Sequence, residues 1–282
     1  MRALLNIIYE DAGLLVINKP AGLVCHPTKT DAYSSLISRV RLYVGAAARS
    51  QISAESTSDL STDGKRPRAS AGLHPALEGV RRGSAGEPVR PHLVNRLDRE
   101  TSGVVLVAKS DEAARELRKI WESRAVRKEY SAIVHRHVRA DQDVIDAPLG
   151  RDEQSAVAIK DCVRADGATA QTEIRVECRF RRAERDFTLL RVTPHTGRKH
   201  QVRVHLAHYG HPIVGDKLYG DDEKLYLDFV KYRLTDEQRR QLILPFHALH
   251  ANGVRFVWRG REVTFRAEPE KWFVDFVAPD TG

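Results

Sequence analysis

One carboxylate with guanidinium groups on either side, Asp98 between Arg96 and Arg99, sits in the run N-R-L-D-R-E-T-S-G over 95–103. In extended chain Arg96 and Asp98 project to the same side and Leu97 to the other. A cation that close lowers a carboxyl pKa and keeps the group ionised. Asp98 is therefore suited to act as a nucleophile or base. An Asp in a loop is also an ordinary turn or capping residue, so the chemistry requires partners from elsewhere in the chain.

A second stretch of reactive side chains is T-P-H-T-G-R-K-H-Q-V-R-V-H-L over 193–206. Pro194 and Gly197 predict a turn, followed by a helix from Lys199 or His200 to Tyr209, stopped by Gly210 with Pro212 beyond. Val202, Leu206 and Tyr209 are expected to face inward and the cations outward. Arg198 falls where turn meets helix, a place from which a guanidinium reaches into a cleft. His195, His200, His205, His208 and His211 crowd this region, but H-E-x-x-H is absent and no acidic residue lies among them. No metal site is expected. Cys25, Cys162 and Cys178 are odd in number and far apart, which predicts neither a disulfide framework nor a cysteine zinc site. The signatures of serine hydrolases, P-loop NTPases and dinucleotide-binding folds are missing. No cofactor is expected.

The elements that must hold these residues follow from periodicity. Short strands are predicted around Ile7 to Tyr9 and Leu14 to Ile17, joined across Glu10 and Gly13, with a turn from Asn18 to Gly22. Leu36, Ile37, Val40 and Val44 mark a helix over 34–44. Directly after the Asp98 loop, 104–108 is a buried strand by its β-branching. The spacing predicts a helix over 111–126, capped by Ser110 or Asp111, with Ala113, Ala114, Leu117, Ile120 and Trp121 on one face. A strand over 128–134 follows, then short strands over 143–192 too closely spaced for helical crossovers. A polar helical stretch over 226–241 precedes a hairpin of 254–258 with 263–267, and Trp272 and Phe273 close over the sheet. The fold class predicted is α+β, with a central mixed, largely antiparallel sheet, flanking helices and a catalytic cleft.

Domain organisation reads as one catalytic domain over 1–282, interrupted at 45–90 by a basic, low-complexity insertion expected to be mobile. Lys65, Arg66, Arg68, Arg81 and Arg82 lie in it, either as RNA contacts or as a solvated loop. At 282 residues with 41% hydrophobic and 30% charged side chains, the chain is long enough for a sizeable core. It contains no run of about 18 apolar residues, and the first twenty residues carry Glu10 and Asp11 where a signal peptide needs its apolar stretch. A cytoplasmic monomer with no membrane association is the expectation. The formal charge of +8 points to a polyanionic partner, nucleic acid first.

Four segments in this order resemble the RluA-type pseudouridine synthases, which isomerise uridine in RNA. They are V-I-N-K-P-A-G-L-V-C-H-P at 16–27, R-L-D-R-E-T-S-G-V-V-L-V-A-K-S at 96–110, K-E-Y-S-A-I-V at 128–134 and T-G-R-K-H-Q-V-R-V-H-L-A at 196–207, with L-H-A at 249–251 in weaker support. The resemblance implies the pseudouridine synthase fold and a metal-free reaction that breaks the C1′–N1 glycosidic bond and rejoins it through C5. It implies Asp98 as the catalytic aspartate, Arg96 as its aid and an RNA contact, Tyr130 as the surface on which the target base stacks, and Arg198 as the electrostatic partner of Asp98. From the residues alone, either arginine could be the closer partner. The cations Lys19, His26, Arg99, Lys128, Lys199, His200 and Arg203 are the further RNA contacts expected. Of two routes open to Asp98, covalent attack at C1′ or removal of a sugar proton to give a glycal, the resemblance favours the second.

The chain departs from the family at Asn95, where His is usual. The family's N-terminal S4-type module is not expected, because the catalytic pattern begins within the first ten residues. Ribosomal and transfer RNA are both possible substrates. The rival expectation is a non-catalytic RNA-binding or ribosome assembly protein that keeps the fold.

Overall fold

In a computed structural model of the chain, residues 5–27, 34–46, 90–183 and 185–278 are described. Strand β1 (Asn6–Glu10) pairs antiparallel with β2 (Leu14–Lys19), and residues 36–46 form helix α1. A two-residue β3 (His92–Leu93) precedes β4 (Ser102–Ala108), α2 (Asp111–Glu122) and β5 (Arg127–His135). Five short or medium strands follow: β6 (Gln142–Asp146), β7 (Leu149–Arg151), β8 (Asp161–Val163), β9 (Gln171–Arg182) and β10 (Arg185–Pro194). The remainder is α3 (Gln201–His208), α4 (Lys224–Val230), α5 (Asp236–Leu242), β11 (Leu249–Trp258), β12 (Arg261–Arg266) and α6 (Lys271–Val277).

Ten strands make one sheet in the order β1-β2-β4-β11-β5-β10-β9-β6, with β12 on β11 and β3 on β4. Every pairing is antiparallel except β4 with β11. The predicted mixed, largely antiparallel sheet with flanking helices is what forms.

All of β4 is buried, and its alternation divides two cores. Val104 and Leu106 meet Ala113 and Leu117 of α2, while Val105 and Val107 meet Leu36, Val40 and Val44 of α1. Period-two side chains thus seat a helix on each face of the strand that leads out of the Asp98 loop. Further along the sheet, Ile133 and Leu190 pack with Val202 and Leu206 of α3 and with Phe273 and Phe276 of α6. That accounts for the predicted closure near Trp272 and Phe273.

Several boundaries differ from expectation. Strand β2 runs through Asn18 and Lys19, where the sequence predicts a turn. Helix α2 is capped as predicted, Ser110 Oγ accepting from Ala113 N at 3.2 Å, but ends four residues early. Arg124 there turns left-handed, with φ 58°. The stretch over 226–241 is two helices with Tyr232 at φ 57° between them, and Thr235 with Gln238 forms a capping box for α5. The predicted insertion falls, over 47–89, outside the described residues. No helix among the described residues is long and apolar enough to cross a membrane.

Candidate active site

The loop carrying Asp98 is fastened residue by residue to distant parts of the chain. Asn95 mimics backbone beside β4, donating to Val104 O at 3.1 Å and accepting from Leu106 N at 2.8 Å. Leu97 is buried in the core under α1, as the alternation predicts, which leaves Arg96 and Asp98 on the cleft side. Glu100 pairs with buried Lys217 at 2.9 Å. Thr101 Oγ1 lies 2.7 Å from His247 Nε2, and Ser102 Oγ 2.8 Å from His250 Nδ1. Gly103 has φ +113°, and a Cβ there would stand 2.2 Å from Ala251 O. Only glycine allows β4 and β11 to approach so closely.

Asp98 meets Arg203 rather than Arg198. Arg203 Nη1 donates to Asp98 Oδ2 at 2.8 Å, while Nε and Nη2 donate to the two oxygens of Asp216 at 2.7 and 2.9 Å. Arg198, the expected partner, turns away and donates from Nε to Thr169 O at 3.0 Å. The expectation that α3 turns its cations outward fails for Arg203 and His205, while His208 is exposed. Every residue of α3 from Gln201 to Leu206 is buried. Buried cations need partners, and Asp216 supplies one to Arg203. His205 is satisfied within the core, Nδ1 to Thr172 Oγ1 at 2.8 Å and Nε2 to Ala147 O at 2.9 Å.

Electrostatics follow from this packing. Burial works to raise the Asp98 carboxyl, but the Arg203 guanidinium holds it below the usual carboxylate value. Asp216 is fully buried, and the fork of Arg203 with the backbone N–H of Tyr219 holds it well below the usual carboxylate value against that burial. His247 is driven down to about 3 by burial and by Arg203, and so stays neutral. Tyr130, on β5, is pushed up to about 12 by burial and by the charge of Asp98. Its hydroxyl has no hydrogen-bond partner among the described residues.

Asp98, Arg203, His247 and Tyr130 line a cleft of about 850 Å³, with Asp216 buried behind it. All the residues predicted for the site line it except one: Asp98, Arg96, Tyr130, Arg198, His26, Arg99, Lys128, Lys199, His200 and Arg203 are present. The exception is Lys19, which is wholly buried. Its ammonium donates to the carbonyls of Pro20, Leu23 and Arg99 at 2.8, 2.8 and 3.1 Å, so it ties the 20–23 turn to the Asp98 loop and offers nothing to RNA. Around the rim, Lys128 Nζ donates to Thr196 O at 2.9 Å, and Arg99 lies 5.1 Å over the ring of Phe229. Lys199 pairs with Asp161 at 2.9 Å.

Sequence reading missed Asp216, Glu100, Lys217 and His247. The one available signal was a requirement of charge balance, since a helix bearing Arg203 and His205 must find acceptors once it is buried.

The family model described as RNA pseudouridylate synthase matches residues 13–208, which contain Asp98, Tyr130 and Arg203. The chain belongs to this family. An uncharacterized RNA pseudouridine synthase of Aquifex aeolicus (strain VF5) is 35% identical over 216 residues, 77% of this chain and 56% of that protein. The ribosomal large subunit pseudouridine synthase D of Zymomonas mobilis is 31% identical over 266 residues, 94% of this chain and 69% of that protein. This member of the family thus spans little more than half the length of the Aquifex relative. The human RNA pseudouridylate synthase domain containing 1 superposes with a TM-score of 0.63 at 21% identity, over 94% of this chain and 83% of that one. That likeness concerns the fold, which is the pseudouridylate synthase fold expected.

Proposed function

We propose that this chain is an RNA pseudouridine synthase, an isomerase in which Asp98 acts on the ribose of a target uridine while Tyr130 stacks on the uracil. The observation that carries the reading is an ionised carboxylate, held by Arg203 at 2.8 Å, in the lining of a cleft that also contains Tyr130. A glycosidic bond broken and rejoined within one nucleotide needs a carboxylate near the sugar and a surface that retains the detached base. Both are available in this cleft. The role first given to Arg198, keeping Asp98 charged, passes to Arg203, and Arg198 joins Arg96, His26, Arg99, Lys128 and Lys199 as a contact for the RNA backbone. Asp98 and its neighbours lie in a recess, so the uridine must leave its stack, which costs a few kcal/mol and favours loops and bulges. Phosphate contacts by the rim cations offset that cost.

Relatives whose names specify a substrate include ribosomal large subunit pseudouridine synthases C and D, which favours ribosomal RNA over transfer RNA. The deciding experiment is Asp98→Asn, assayed by mapping pseudouridine in unmodified ribosomal and transfer RNA incubated with each protein. Product formation is expected to fall by at least ~10³, about 4 kcal/mol of barrier, with little change in RNA affinity. A protein that binds RNA but forms no pseudouridine even as wild type would instead be the non-catalytic binding protein.

A further inference from the structure

His200 lies against Asp98 in an unusual setting. It caps α3 with φ 56° and ψ 12°, left-handed backbone that a residue with a side chain seldom adopts. Such strain persists only where its surroundings fix it, and it gathers at functional sites. Here the anchor is Tyr219, whose Oη is 2.8 Å from His200 Nδ1 and accepts from Asp161 N at 3.1 Å. A tyrosine hydroxyl has one proton to give, and among the described residues Nδ1 is the acceptor in reach. With Nδ1 accepting, the ring proton of the neutral imidazole sits on Nε2. Burial, more than any charge, keeps that imidazole neutral.

Nε2 stands 3.7 Å from Asp98 Oδ1, too far for a hydrogen bond between them. Oδ2 is already engaged by Arg203. A bare acceptor, Oδ1, and a bare donor, Nε2–H, thus face the same space, and both residues line the cleft. A group that satisfies both with one atom must accept and donate, which a hydroxyl does and a carbonyl or an ammonium does not.

We propose that Asp98 Oδ1 and His200 Nε2–H together hold the 2′-hydroxyl of the target uridine, His200 donating to it and Asp98 accepting from it. This inference rests on the proposed function, which brings the target ribose beside Asp98. The pair reads the one sugar group that separates RNA from DNA, and Tyr219 acts at one remove by fixing the tautomer.

The probe is a synthetic RNA stem-loop spanning a uridine that the wild-type protein converts in ribosomal RNA, made with either uridine or 2′-deoxyuridine at that position. His200→Phe is expected to lower kcat/KM about tenfold on the ribose form, the worth of one hydrogen bond to a charged or polar partner, and less than about twofold on the deoxy form. His200→Gln, which keeps an N–H near the position of Nε2, is expected to recover part of the loss. Tyr219→Phe retains the ring against Arg203 and removes only the hydroxyl. It is expected to shrink the ribose preference in the same direction, and it decides the matter should His200→Phe fail to fold. A ribose preference equal to wild type in these variants, or equal losses on both substrates, overturns the inference while the proposed function stands. Absence of pseudouridine from every RNA treated with wild-type protein overturns the proposed function, and the inference falls with it.

Discussion

Asp216 grips Arg203 with both carboxylate oxygens, at 2.7 and 2.9 Å, and leaves Nη1 of that guanidinium as the arm that reaches Asp98. Asp216 is itself fixed by the backbone N–H groups of Leu218 and Tyr219 at 2.9 and 3.0 Å. A guanidinium clamped on one edge has few rotamers left, so its free edge is held at a set point. The position of Asp98 is therefore decided partly by a turn more than a hundred residues further along the chain.

Asp216→Asn keeps the shape of this clamp and removes its charge. Breaking a buried pair from one side costs about 3–5 kcal/mol, and the amide recovers part of that through the hydrogen bonds it still makes. Urea unfolding is expected to show a loss of about 2 kcal/mol, and kcat is expected to fall at temperatures where the variant remains folded, with KM little changed. A variant as stable and as fast as wild type would remove Asp216 from the account of the site.

The identity of the arginine beside Asp98 is open to a pH measurement. The carboxyl of Asp98 is held below its usual value, so its contribution to stability and activity is complete above about pH 4 and is lost only as pH falls through the lower folded value. Arg203→Lys replaces the fork with a point charge, leaving the burial of Asp98 less opposed. The acid limb of single-turnover rate is then expected to move upward. Arg198→Lys is expected to leave that limb where it stands and to weaken RNA binding instead, because Arg198 is turned to Thr169 O. An upward shift in the Arg198 variant and none in the Arg203 variant would reverse the assignment.

Gly103→Ala isolates the close approach of β4 and β11. The added methyl would meet Ala251 O at 2.2 Å on a residue with φ +113°, so both the backbone conformation and the strand spacing oppose it. A loss of about 3 kcal/mol or more in thermal or urea unfolding is expected. Unchanged stability would mean that the two strands part at no cost.

Most of the sheet was legible because short, continuous apolar runs rich in β-branched residues leave a strong trace, as in β4 and β5. Asp98 and Tyr130 were legible because they sit in local motifs whose neighbours announce them. The partner of Asp98 was not, because periodicity gives the faces of α3 but not what covers them. A helix assumed to have a wet side has none from Gln201 to Leu206, and that single difference turned Arg203 from a surface cation into the group that holds the carboxylate. Lys19 follows the same pattern, since charge alone suggests exposure and the side chain is wholly buried.

Lys19 gives the sharpest test of that last point. Burial lowers its ammonium to about 8, against a usual value near 10.4, despite the nearby carboxylates. Between those two values the unfolded chain binds more protons at this site than the folded one, so stability rises with pH across the window. The rise is bounded by the size of the shift, at about 3 kcal/mol. Lys19→Met lacks this titration. The difference in unfolding free energy between wild type and Lys19→Met, measured in urea at pH 7, 8.5 and 10, is expected to grow in favour of wild type as pH rises. At neutral pH the folded fraction of the variant is expected to bind RNA as wild type does, because the ammonium is spent on the carbonyls of Pro20, Leu23 and Arg99. A loss of RNA affinity without a change in stability would return Lys19 to the binding surface.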